Sequence, residues 1–278
     1  MIAEELITLL ERHGAGAPLP RVRALHLPRA ECLEERSGEF CALELEDGTL
    51  GLAFVLLADT WSQLAATHAG TALAGTDALE LARRYAGAGT VGRTLGFATI
   101  NALSRCVFDR LGYVPPASTD SIGELDPQAG DHVGMVGLFR PLLGRCMAAG
   151  ARVTVIELRS DLAGEYEGYR VTLDASELAS CNKVLCTSSV LLNGTADRML
   201  AHCTRAERLA MVGPGAGCLP DPLFARGVTL FGGSWISDPA GVVDALRAGR
   251  PWSEHARKIA IHREDYPGVE RLSAALRR

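Results

Sequence analysis

The chain predicts an α/β protein in which a doubly wound parallel sheet makes up the carboxy-terminal half and a smaller α+β unit precedes it. Three observations carry that expectation. From Asp131 onward, short apolar runs alternate with helical patterns through turn-forming residues, the rhythm of strands joined by crossover helices. Before residue 113 the order differs: alternating strands flank Asp47-Gly48, a tight-hairpin dipeptide, and helices follow them. Between these halves residues 113–130 carry three prolines and no apolar period, which marks a junction.

The elements follow in order. Residues 2–12 place Ile2, Leu6, Leu9 and Leu10 on one helix face and Glu4, Glu5 and Glu11 away from it. Strands are predicted at 22–27, at 41–45, where Cys41, Leu43 and Leu45 alternate with Glu44, and at 50–57. A helix-like stretch at 59–69 carries Trp61 and His68, Gly70 to Gly75 breaks it, and a second helix at 76–84 opens on Thr76 or Asp77 as its cap. Residues 94–111 form a longer helix, apolar on nearly all sides in its first half, which should run through the centre of its unit. Asn101 lies in that apolar half and must find hydrogen-bond partners, either as a tie to a neighbouring loop or as part of a site.

In the second half strands are predicted at 132–136, 153–156, 184–186, 209–212 and 228–231, with helices near 141–149, 195–202 and 239–247. Right-handed crossovers leave few topologies other than a doubly wound sheet. The expected division is 1–120, 121–268, and a loose or helical tail at 269–278.

Composition narrows the function. Apolar residues are 47 % and charged residues 22 %, ordinary for a soluble chain with a large core. With 28 basic against 33 acidic residues the net charge is −5, which argues against a general nucleic-acid or anionic-membrane surface. No apolar run approaches the roughly 18 residues of a membrane span, and the first residues carry acids where a signal peptide carries bases, so a cytoplasmic location is expected. Eight cysteines without a CxxC read as reduced core residues. The histidines show no HExxH or other close ligand spacing, so no preformed zinc site is expected; ligands such as His68, Cys218 or Asp59 could still converge from both halves. Walker A and GxSxG patterns are absent.

A doubly wound half would gather four turns at the carboxyl edge of its sheet: 137–141, 187–195, 213–220 and 232–237. They bring Gly137, the Arg140 guanidinium, the hydroxyls of Thr187, Ser188, Ser189, Thr195 and Ser234, the Asn193 amide, Gly213, Pro214, Gly215, the Cys218 thiol, Gly232, Gly233 and the Trp235 indole. That set suits a polar or anionic ligand, and glycine lets backbone approach it closely, although glycines at strand ends also serve as plain turns. The first turn, VGMVGLFRPLL, lacks the GxGxxG spacing of a dinucleotide fingerprint. Glu157, 20 residues after Gly137, stands where a ribose-binding acid would stand, which keeps a cofactor such as NAD or S-adenosylmethionine as an alternative. Amides ahead of the Pro141 helix, with Arg140, could hold a phosphate or carboxylate; Arg140 could equally be a salt-bridge partner between the halves. Cys218 precedes a helix expected near Pro220, a setting that favours a thiolate, or is a bystander.

The motifs VGMVGLFRPLL, VLCTSSVLLNGT, MVGPGAGCLPDPLF and TLFGGSWISD, with RTLGFATINAL before them and RKIAIHREDYPG after, resemble the heavy-metal chelation family of largely uncharacterised prokaryotic proteins, over the chain to about Gly268. The resemblance implies an amino-terminal domain like that of enolase, a Rossmann-like carboxy-terminal domain and a site in the cleft between them. It implies a role in heavy-metal chelation, on a metal carried by a small organic ligand or in cofactor assembly. By motif match it points to Asn101, Arg140, Thr187, Ser188, Ser189, Asn193, Gly213, Gly215, Cys218, Gly232, Gly233 and Trp235, with no residue assigned as acid, base or nucleophile. The expectation is a protein that binds a heavy-metal ion, a metal chelate or a small polar ligand, with catalysis left open. The alternatives are a nucleotide-cofactor enzyme and a structural or partner-binding protein, and a homodimer is the commonest soluble assembly.

Overall fold

In the computed structural model, residues 1–14, 18–34, 38–87, 89–120 and 122–276 are described. Helix α1 (Ile2–Gly14) turns Ile2, Leu6 and Leu10 inward, as its apolar spacing requires. Strands β1 (Val22–His26), β2 (Phe40–Leu45) and β3 (Leu50–Phe54) form an antiparallel sheet in that order. The hairpin at Asp47-Gly48 is as expected, with the Asp47 carboxylate accepting the Thr49 N–H at 3.0 Å. Two short helices follow, α2 (Thr60–Thr67) and α3 (Ala78–Arg83); of the two candidate caps for α3, Asp77 takes the role and accepts the N–H groups of Leu79 and Glu80. Helix α4 (Thr90–Arg110) is buried on nearly every side, with Phe97, Ile100 and Leu103 inward. Gly51 on β3 lets the small sheet lie directly on it, since a Cβ there would fall 2.0 Å from the Ala98 oxygen.

The large sheet holds β4 (His132–Val136), β5 (Arg152–Ile156), β6 (Gly164–Tyr166), β7 (Tyr169–Thr172), β8 (Lys183–Thr187), β9 (Arg208–Val212), β10 (Leu230–Ile236) and β11 (Ala256–His262). Their spatial order is β11-β10-β9-β8-β4-β5-β7-β6. Six of them run parallel, and β6 and β11 are antiparallel edges. Taken in chain order, the parallel strands lie as third, second, first, fourth, fifth, sixth, which is a doubly wound sheet whose crevice opens between the carboxyl ends of β4 and β8. Helices α5 (Arg140–Ala149), α6 (Ser189–Leu192), α7 (Ala196–His202), α8 (Asp221–Phe224), α9 (Pro239–Ala248) and α10 (Val269–Leu276) complete the chain.

The main hydrophobic cluster runs through both halves, joining Leu6, Leu43, Phe97 and Ile100 to Val184, Met211, Phe231 and Ile259. The opposite face of the large sheet is covered by α5 through Leu142 and Cys146, and by Ile122 and Leu125 of the proline-bearing connector. Helix α9 packs Val242 and Leu246 against Phe40, Ala42 and Leu52 of the small sheet.

Three features differ from expectation. Strand β10 starts two residues later than 228 and continues through Gly232 and Gly233 to Ile236, so the predicted turn at 232–237 is largely strand. The reason is an antiparallel partner: Gly232 pairs with Ala260 and Gly233 with Ile259 of β11, and that ladder carries glycine where propensity alone would not. Strands β6, β7 and β11 were not foreseen, because β6 is a fully exposed three-residue edge and β7 is four residues long. The connector is not a free junction either: Ala117 bridges Ile259, the Ser118 N–H donates to the Lys258 oxygen at 3.1 Å, and the Ala260 N–H donates to the Pro116 oxygen at 3.2 Å. It then crosses the sheet face, where Gly123 (φ +70°) sits so close to the strands that a Cβ would meet that of Ala210 at 2.3 Å. The tail is helical over α10, and its last two residues lie outside the described ones. Among the described residues no helix is long and apolar enough to cross a membrane.

Candidate functional site

The first crevice loop turns on Gly137, whose φ of +87° favours glycine and whose Cα faces Thr187, with the methyl group 3.3 Å from where a Cβ would lie. That seats the end of β4 against the end of β8. The next amide, Leu138 N–H, donates to the Glu157 carboxylate at 2.9 Å, and the Leu158 N–H donates to its other oxygen at 3.3 Å. A pyrophosphate at this switch point would meet a carboxylate already holding the loop amide, which opposes the dinucleotide alternative on electrostatic grounds. Arg140 is exposed at the start of α5, lines neither of the cavities described below and forms no salt bridge among the described residues, so the alternative of a pairing between the halves is not made.

The turn after β8 satisfies itself. Thr187 Oγ1 accepts the Ser189 N–H at 3.3 Å and donates to Ser189 Oγ at 3.2 Å, while Asn193 Oδ1 accepts from the N–H and hydroxyl of Thr195 at 3.1 and 2.6 Å. Ser188 is buried under Gly213, where a Cβ would fall 2.1 Å from Ser188 Oγ. An alanine at 213 would need the Ser188 hydroxyl to rotate away.

The turn after β9 meets Asn101, 3 % exposed on α4. Asn101 Nδ2 donates to the Leu52 oxygen of β3 at 2.7 Å and to the Gly215 oxygen at 2.9 Å, which ties helix, small sheet and turn together. Its Oδ1 is buried with no partner. An unmet buried acceptor of this kind costs about 1–3 kcal/mol. Asn101, Arg105, Pro214, Cys218, Ser234 and Trp235 line a cavity of about 40 Å³ between α4, β3 and this turn. The Arg105 guanidinium lies 3.8 Å from the Trp235 ring centroid and donates to the Ile236 oxygen at 2.8 Å. The cleft between the halves is therefore largely filled.

Cys218 is 1 % exposed, burial pushes its thiol up to about 12, and the helix after it, α8, has four residues. Of the two readings of Cys218, burial opposes the thiolate. Burial likewise drives Cys41, Cys106 and Cys203 to about 12 and Cys146 and Cys181 to about 11. Asp59 and His68 stand at opposite ends of α2, and among the described residues no three His, Cys, Asp or Glu side chains converge. The donor set does not fit a bare heavy-metal ion, which needs deprotonated thiolate, imidazole or carboxylate ligands brought together.

Gly232 and Gly233 separate by face. Gly233 lies under the Ala216 oxygen, 1.9 Å from where a Cβ would be, and is there for packing. Gly232 faces the other way, onto a cavity of about 230 Å³ roofed by the connector. Its floor is Val212, Leu230, Gly232 and Ala260, and its rim carries Asp120, Glu124, Ser118, Phe139, Lys258 and Ser234. Asp120 holds the roof in shape by accepting the N–H groups of Ile122 and Glu124 at 2.9 and 2.8 Å, with Glu124 at φ +52°. The rim residues of the connector and β11 were missed in the sequence. The alternation of Lys258 and Ala260 against Ile259 and Ile261 is the signal that could have found β11.

Residues 120–264, more than half of the chain, match a family described as "Putative heavy-metal chelation" (DUF364), and residues 36–104 match a second family with the same description (DUF4213). No curated protein matches the chain. A solved DUF364 protein of unknown function from Pyrococcus horikoshii is similar over 94 % of this chain and 100 % of its own, with 18 % identity and a TM-score of 0.66. Another, from Desulfitobacterium hafniense DCB-2, is similar over 93 % and 98 %, with 18 % identity and a TM-score of 0.65. These likenesses speak to the fold.

Proposed function

Because the chain belongs to the DUF364 family, whose description is heavy-metal chelation, we propose that it binds a small organic ligand able to carry a metal, and not the bare ion. The observation behind this reading is the cavity of about 230 Å³ at the carboxyl end of β9 and against Leu230 to Ser234 of β10, in a chain whose described residues bring no three metal ligands together. Its apolar floor suits a flat body, and carboxylates and an ammonium on the rim suit a molecule of mixed charge. Metal in such a complex is cargo, held by the organic donor atoms.

The same reading takes residues 1–120 as a unit like the amino-terminal domain of enolase and 121–268 as a Rossmann-like unit. It makes the protein cytoplasmic, self-associating as a two-fold dimer, and a partner of small molecules, not nucleic acid. Light scattering tests the dimer.

For the ligand, the test is elemental analysis and mass spectrometry of what the purified protein releases on unfolding, followed by thermal-shift titration of the recovered molecule with and without its metal. At 100 times its dissociation constant the complex adds about 2.7 kcal/mol of stability. Metal released without an organic molecule, or equal stabilisation by the free ion, refutes the proposal.

A further inference from the structure

The orientation of the Asn101 amide is fixed by its neighbours. A flipped amide would set oxygen against the carbonyls of Leu52 and Gly215, so Nδ2 must face them and Oδ1 must be the end left over. That oxygen is buried without a partner in a residue lining the cavity of about 40 Å³. A cleft with a buried acceptor of this kind can take a donor from outside the chain, a water or a ligand group that displaces it.

The surroundings say which donor. Arg105, whose Nε is held by the Asp109 carboxylate at 2.9 Å, lines the same cavity and no Asp or Glu among the described residues does, so an ammonium group meets no counter-charge there. A carboxylate would bring oxygen against Oδ1. A neutral group with a donor and an acceptor meets neither objection, since the Arg105 guanidinium in the wall can donate to its oxygen. Where one water occupies about 10–15 Å³, this space takes roughly three or four non-hydrogen atoms. We propose that the cleft is a subsite for a neutral amide group, a primary carboxamide or hydroxamate, whose N–H donates to Asn101 Oδ1 and whose carbonyl accepts from Arg105.

The two cavities lie on opposite faces of β10, with Pro214, Ser234 and Ile259 in the wall of each. The subsite itself rests on Asn101, and its test does not use the larger cavity; failure of one leaves the other standing.

Acetamide, acetate and methylammonium are titrated into isotope-labelled protein while the NMR signals of Gly217, Cys218 and the Trp235 indole are followed. Acetamide is expected to give saturable shifts with a millimolar dissociation constant, the range open to so small a probe. Acetate and methylammonium are expected to bind about tenfold more weakly or worse, a difference of about 1.4 kcal/mol. The proposal is overturned if acetamide gives no saturable shift at the cleft, or if acetate or methylammonium binds as tightly.

Discussion

Replacing Gly233 and Gly232 by alanine, one at a time, should separate two roles that look identical in the sequence. At Gly233 the new Cβ would lie 1.9 Å from the Ala216 oxygen, against 3.4–4 Å for an ordinary contact, so the turn must move by more than an ångström. It is not free to move. Asn101 holds the Gly215 oxygen, and the Leu219 N–H donates to Ser104 Oγ at 3.2 Å. A glycine-to-alanine change in relaxed extended backbone gains about 0.4–1 kcal/mol; overpacking costs about 1–3 kcal/mol and sometimes more. With both anchors resisting, the upper end applies, about 3 kcal/mol of lost stability, or roughly 6–12 °C in melting temperature for a chain of this size. At Gly232 the nearest atoms are Val212 Cγ1 at 3.2 Å and the Ile259 oxygen at 3.4 Å, and the methyl group enters the cavity. That variant should keep its stability within about 1 kcal/mol. Urea and thermal unfolding measure both. If Gly233→Ala melts with the wild type, or if the two variants lose stability equally, the assignment of the glycines to packing and to the cavity is wrong.

Asn101→Leu should lower stability by about 2 kcal/mol in urea unfolding: two buried carbonyls lose donors at about 1–3 kcal/mol each, partly offset by removal of the unmet Oδ1; an unchanged midpoint would contradict the tie. Asp131, mostly buried beside Lys183 at 2.7 Å, has its carboxyl pulled below the ordinary range. Burial works to raise it, but hydrogen bonds from Lys183, Asn182 and the Gln128 N–H outweigh that effect. Its folded value lies below its unfolded one, so its contribution is whole above about pH 4 and fades as the pH falls through the folded value. The stability gap between wild type and Asp131→Asn should therefore be constant near neutrality and close in acid; a gap that widens in acid would refute the sign. Under native conditions at mildly alkaline pH, iodoacetamide should modify Cys32, half-buried, before Cys41 and Cys218, whose thiols burial holds near 12; early labelling of Cys218 by peptide mass mapping would overturn its placement.

Much of the fold was legible because parallel strands buried on both faces advertise themselves. His132–Val136 was placed to the residue, and β5, β8 and β9 within one at each end, since their apolar runs stop at turn-forming residues. The length of α4 was visible in the same way, short of its first turn by four residues, where Gly92 and Arg93 interrupt the apolar pattern. β10 was misread because glycine in a strand looks like its end, and only the partner strand β11 shows otherwise. Of the candidate site, a tie from Asn101 to a neighbouring loop was expected; that the loop is the turn after β9 was not. The side of the sheet on which open space would lie was not. That depends on which neighbours Gly232 and Gly233 face, and the connector that roofs the cavity carries proline and glycine in a pattern indistinguishable from a free linker.

Native mass spectrometry of wild type and Gly232→Val, purified side by side from one host, tests the central claim most directly. Binding of an organic ligand under the connector predicts an adduct on the wild type that carries the mass of a small organic molecule, with or without a metal, and its loss from a variant that remains folded. A bare metal ion retained equally by both proteins, or an organic adduct that survives the valine, would contradict it.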